Sequence, residues 1–152
     1  MISASTLIHY YSVDNFFSLK VFQNEKKVRM TMQFSHDHLS TNIVPSIVPL
    51  LHERLPGILK SKCFNTEKLP FLIEVKNTET GHLFEHIVLA YLYELKVAKG
   101  FQDVIFNGRT HWNWTKDPRG TFHIIVDCGV NDSDILEIAV AKAITLMKII
   151  FQ

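Results

Sequence analysis

His82, Glu85 and His86 fall in the order H-x-x-E-H, within the segment His82-Leu83-Phe84-Glu85-His86. On a helix, the two histidines lie one turn apart on one face, where two imidazoles can grip one Zn²⁺. Glu85 lies beside them, placed to take a proton from a water that the metal activates. The chemistry implied is metal-assisted hydrolysis. The pattern arises by chance in roughly 2% of shuffles of such a composition, so its value depends on the elements that carry it.

A helix from about Glu79 to Ala98, ending at Gly100, would hold all three residues. Leu83, Ile87, Val88, Tyr91, Leu92, Leu95 and Ala98 cover most of its circumference, which predicts a mostly buried helix. His82, Glu85 and His86 share the remaining sector with Leu89, Tyr93 and Lys96. Two plainer readings stand beside the metal: a polar stripe facing solvent, or core histidines satisfied by hydrogen bonds.

Upstream, Lys27 to Phe34 alternates, with Val28, Met30, Met32 and Phe34 on one side, and reads as a half-buried strand. An earlier strand is expected near Thr6 to Val13. From Thr41 to Leu55 the period turns helical, with Ser40 or Thr41 as a cap and Pro56-Gly57 as a stop. Lys60 to Pro70 reads as a loop and Phe71 to Val75 as a short strand. Downstream, Val104 to Trp114 and Gly120 to Cys128 flank a turn at Lys116 to Gly120 and read as a hairpin. Its apolar face holds Val104, Phe106, Trp112, Trp114, Phe122, Ile124 and Val126; Arg109, His111, His123 and Asp127 point the other way. A last helix starts near Asp132 or Ser133 and runs to the C-terminus.

These elements predict one α+β domain over residues 1–152, an antiparallel sheet covered by helices on one face. Both long helices look apolar nearly all round, which points to a homo-oligomer covering them from outside. A net charge of +1 without a basic, aromatic-interleaved stripe argues against nucleic acid. No apolar run reaches membrane-spanning length, and the N-terminus lacks the pattern of a secretory signal. Cys63 and Cys128 make no disulfide framework, so a cytoplasmic protein is expected; Cys63 reads as a free loop thiol or a soft metal ligand.

"LLHERLPGI" followed by a Cys, then "TGHLFEHIVLAYLYEL", "FNGRT" and "GTFHIIVD" together resemble the N-terminal domain of cyanophycin synthetase, over roughly residues 28 to 150. Cyanophycin is a poly-aspartate backbone carrying arginine side chains. The resemblance implies a domain that holds this polymer. In some members it implies a metallopeptidase-like site that cuts the polymer into primers, similar to the insulinase-type (inverzincin) peptidases. The ATP-grasp and Mur-ligase-like domains of the synthetase have no counterpart here, and no P-loop is present, so the chain is not expected to be the ligase by itself. The family's motif maps onto His82, Glu85 and His86, and its Gly-Arg-Thr strand onto Arg109.

The chain departs from the pattern at Ala90, where many members of the family carry a Glu one turn after the second His. The downstream Glu that insulinase-type enzymes use as third ligand would fall beyond Gln152. Glu137, on the final helix expected to pack beside the motif helix, is the chosen third ligand; its plainer reading is a carboxylate favoured by the helix dipole. Asp127 is the runner-up, although strand alternation turns it from the core, and His111 and His123 are disfavoured for the same reason; a water or a neighbouring subunit is the remaining alternative.

Two function classes follow. One is a zinc-dependent hydrolase of peptide or isopeptide bonds, with Glu85 as the base and Arg109 holding a substrate carboxylate by a two-point contact. The other is a non-catalytic module that binds cyanophycin or another peptide, or serves a separate ligase as an accessory subunit, with Trp112, Trp114 and Phe122 as candidate contacts.

Overall fold

The computed structural model describes residues 5–35, 38–61 and 69–152. Among these residues five strands form an antiparallel sheet: β1 (Thr6–Val13), β2 (Phe17–Gln23), β3 (Val28–Phe34), β4 (Gly108–His111) and β5 (Thr121–Val126), in the order β1-β2-β3-β5-β4. The α-helices α1 (Ile47–Arg54), α2 (Phe71–Glu74), α3 (Thr80–Ala98) and α4 (Ser133–Ile150) complete the α+β architecture.

Register explains why the helices gather on one face. Phe17, Leu19 and Val21 of β2 stand opposite Phe34, Met32 and Met30 of β3. Met30 and Met32 in turn face Ile124 and Phe122 of β5. All of these side chains are buried and make one continuous apolar surface, which helices must cover. Thr110 of β4 pairs with Ile124, so it stands on that same face. The other face carries Lys20, Arg29, Thr31, His111 and His123.

α3 crosses β4 and β5 and packs along α4. Its close approach depends on Gly81: a Cβ there would lie 2.3 Å from Cγ of the buried Phe122 ring. Gly100, at φ +97, ends the helix in the left-handed region that a glycine tolerates. α4 begins where expected, but Asp132 makes no capping bond; its carboxylate takes the Lys96 ammonium of α3 at 2.6 Å. α4 is not apolar all round: Glu137, Lys142, Thr145 and Lys148 lie on its exposed side.

Several expectations change. Phe71 to Val75 is not a strand but the short helix α2 running into a 3-10 turn, Val75–Asn77. Phe71 and Val75, four apart, are buried while Leu72 and Ile73 are exposed, so packing imposed a helical period on a run too short for pattern alone to decide. The hairpin is also shorter than its apolar pattern, because residues 104–107 and 112–114 lie outside the ladder. β2, between Phe17 and Gln23, was not anticipated; its inward Phe17, Leu19 and Val21 alternate as a strand should. Cys63 falls outside the described residues. Cys128 is buried, and burial pushes its thiol up to about 12, the behaviour of a core residue rather than a nucleophile. Among the described residues, no helix is long and apolar enough to cross a membrane.

Candidate metal centre

α3 carries His82, Glu85 and His86 toward the bottom of a cleft of about 850 Å³, between the β4 end of the sheet and the segments before α3. Glu85 is 3% exposed and His86 5%, so the triplet is not a solvent-facing stripe. One ligand atom from each of the three residues lies within 4.8 Å of the others.

The imidazoles are aimed rather than merely near. Nε2 of His82 and Nε2 of His86 face each other at 3.1 Å. Two nitrogens each about 2.0–2.1 Å from one tetrahedral Zn²⁺ would stand roughly 3.3 Å apart, so the pair fits that ion closely. The remaining ring nitrogens are held from behind. Nδ1 of His82 lies 2.8 Å from Thr78 Oγ1, and Nδ1 of His86 lies 3.3 Å from Ser61 Oγ. Such outer partners are what a metal-binding histidine needs to fix its ring. Phe71 stacks on His86 at 4.0 Å and meets His82 edge-on, so α2 closes over the back of the pair.

Glu85 is held by the strand beside it. Thr110 Oγ1 donates to Glu85 Oε1 at 2.8 Å. Gly108 leaves room for this approach, since a Cβ there would sit 3.2 Å from Oε2 and 3.1 Å from the carbonyl of Ile125. Burial raises the Glu85 carboxyl to about 7, against the smaller opposing effect of the Thr110 hydrogen bond. Burial also lowers both imidazoles. His86 falls to about 3, with the neighbouring His82 adding to the fall; His82 is lowered by its burial as well, and the Glu74 carboxylate opposes that shift. Both rings are therefore neutral at physiological pH, the state in which imidazole binds a metal. Strongly shifted groups of this kind, clustered in a cleft, are a pattern that functional sites share with some structural networks.

A family model, the cyanophycin synthase-like N-terminal domain, matches residues 27–152. The chain belongs to that family. No curated protein and no solved structure gives a significant match. The family match spans everything from β3 to the end of α4, including every side chain that lines the histidine pair.

The other residues singled out in the sequence fall in different places. Arg109 is exposed on the sheet face opposite Thr110 and reaches the rim of the cleft. Glu137 is not brought to the centre. It is exposed on α4 and its charge bears on Tyr11 of β1, because the face of α4 that meets α3 is taken up by apolar residues. Among the described residues, Glu74, at the end of α2 and lining the cleft, is a carboxylate whose charge acts on His82. His111 and His123 stack on each other on the far face, where Asp117 holds His123 at 2.9 Å, and Asp127 is exposed, as strand alternation required. Of the candidate contact aromatics, Phe122 is core, and Trp114 is half-buried with its indole N–H on the Thr121 carbonyl. Trp112, 39% exposed, lines the cleft.

Ser61, Phe71, Glu74, Thr78, Gly108 and Thr110, described residues around the triplet, went unread in the sequence. Two left a signal. Thr78 sits four residues before His82, one turn away. Thr110 has the same strand parity as the inward Phe122 and Ile124 through its register, whereas attention went to its neighbour Arg109. Ser61 and Phe71 reach the histidines only through tertiary packing and left none.

Proposed function

We propose that this protein is a zinc-dependent hydrolase of peptide bonds, backbone or isopeptide, acting on cyanophycin or a similar polymer of Asp and Arg. The observation that carries the reading is the facing pair of Nε2 atoms at 3.1 Å, each ring backed by a hydroxyl, next to a carboxyl that titrates near 7. In this reading His82 and His86 hold the metal through Nε2, and Glu74, rather than Glu137, supplies the third protein ligand. Zn²⁺ when bound lowers the pKa of water and polarises a carbonyl. Glu85 serves as base and then acid: near pH 7 its carboxyl takes up and gives back a proton with little driving force lost either way. Thr110 fixes Oε1 so that the carboxyl keeps its aim.

The rim supports a substrate bearing both signs of charge. Glu79 and Glu94 suit guanidinium groups, while Lys60 and Arg109 suit carboxylates, and all four line the same cleft. A second reading has its own support. Tyr93, Ile105 and Trp112 are exposed along the cleft, Ile105 by 77%, which suits a module that holds a peptide without cutting it.

The test is release of soluble peptide from cyanophycin by zinc-loaded protein, run beside Glu85→Gln. Release by the wild type alone is expected. Binding of the polymer without release by either protein would leave the binding module as the correct reading.

A further inference from the structure

The two edges of the sheet are built differently. β4 is four residues long and carries Arg109, the short and charged form in which natural sheets guard an open edge. β1 is eight residues long, TLIHYYSV, with no Lys, Arg, Asp, Glu or Pro. Its one irregularity is a register shift between Leu7 and His9, which leaves residues 9–13 in regular pairing with β2. Among the described residues nothing pairs with the outer side of β1, where every second residue turns its N–H and C=O away from β2. Tyr10 is 59% exposed and Leu7 51%. A long, uncharged edge of this kind is a template for another strand.

α4 says what that other strand is. α3 takes the β4 and β5 side of the sheet, and α4, packed along α3, takes the β1 side. α4 starts where Ser133 Oγ meets Gln23 Oε1 at 3.3 Å, and it ends with Phe151 5.5 Å from the Phe16 ring. The charge of Glu137 bears on Tyr11 of β1, while Lys142, on the other flank, lies over Tyr91 of α3 at 5.6 Å. At 100° per residue, Glu137, Ala141, Ile144 and Lys148 share one stripe about 60° wide on the β1 flank. Glu137, Ala141 and Lys148 are exposed, and neither charge has an ion-pair partner among the described residues. Set antiparallel against a copy of itself, the stripe brings Glu137 opposite Lys148 and Ala141 opposite Ile144, each pair twice. Set parallel, it brings like charge on like. We propose that the free edge of β1 and this stripe of α4 form one interface with a second copy of this chain. A two-fold axis normal to the sheet reverses strand and helix together, so β1 pairs antiparallel with β1 and α4 lies antiparallel on α4. The two five-stranded sheets join into one, and the charges on α4 match. The histidine cleft lies at the opposite, β4 end and stays open, so the pairing is independent of the metal centre.

Sedimentation equilibrium of the full chain reads the mass, and hydrogen exchange reads the edge. The wild type is expected to be a dimer in the micromolar range, with the outward amides of residues 9–13 protected, and to lose that protection on dilution to the monomer. At low salt, Glu137→Lys and Lys148→Glu should each weaken the dimer by about tenfold, because two-fold symmetry repeats each lost contact and turns it repulsive. The double variant Glu137→Lys/Lys148→Glu sets opposite charges together again and should return affinity to within a few-fold, which damage to the fold by either change would not allow. A monomeric wild type, a dimer that ignores both single reversals, a double variant no better than the singles, or a dimer whose outward β1 amides exchange freely overturns the pairing.

Discussion

Replacing Glu85 by Gln should make the protein's stability respond to pH in the opposite sense from the loss of an ordinary surface carboxylate. Glu85 titrates at about 7 in the fold against 4.5 for an ordinary glutamate, because it is buried. A raised folded pKa means that the native state holds the proton more tightly than the unfolded chain. That contribution is complete below the unfolded pKa and is lost as pH rises through 7. Linkage over 2.5 units of difference puts the change at about 2.5 kcal/mol between roughly pH 5 and pH 8. Gln cannot ionise, so the variant escapes this loss. Its stability relative to the wild type should climb by about that amount over the same range, whatever fixed cost the new amide incurs. Urea unfolding of both proteins at several pH values, with chelator present, measures it. A difference between the two that stays flat with pH, or falls as pH rises, would refute the claim that burial governs Glu85.

Removing the hydroxyl that steadies Glu85, in Thr110→Val, should cost about 1–3 kcal/mol where the carboxylate is ionised and less where it is protonated, measurable by the same unfolding series. Gly81→Ala drives a methyl into the Phe122 ring and should destabilise by about 1–3 kcal/mol or more, seen as a lowered Tm with the far-ultraviolet spectrum kept. Glu74→Gln should weaken zinc at least tenfold in a competitive titration, whereas Glu137→Gln, far out on α4, should leave affinity unchanged; the reverse pattern would return Glu137 to the centre.

The parts of this molecule that were legible in the sequence share a cause: they repeat. Alternation in β3 and β5 and the long apolar periods of α3 and α4 mark one buried face each, and those faces are where the sheet and helices meet. The triplet on α3 was legible for the same reason, since helical spacing alone gathers His82, Glu85 and His86. What failed to show depends on distance in sequence rather than period. α2 takes its helical form from the docking of Phe71 on the histidines, and Ser61 meets His86 across 25 residues of chain. Glu137 was chosen on the reasoning that adjacent helices share side chains. α3 and α4 do pack together, but through apolar faces, and a carboxylate four residues into α4 turns to solvent. The Gly-Arg-Thr strand drew attention to its charge, while its smaller neighbours, Gly108 and Thr110, make the contacts with Glu85.

The most direct measurement is zinc-edge anomalous diffraction from crystals grown with one equivalent of zinc. The account predicts a single strong peak within bonding distance of Nε2 on both His82 and His86, absent in His86→Ala. Crystals of the wild type with no peak between those two nitrogens, or with zinc held only at other residues, would contradict it.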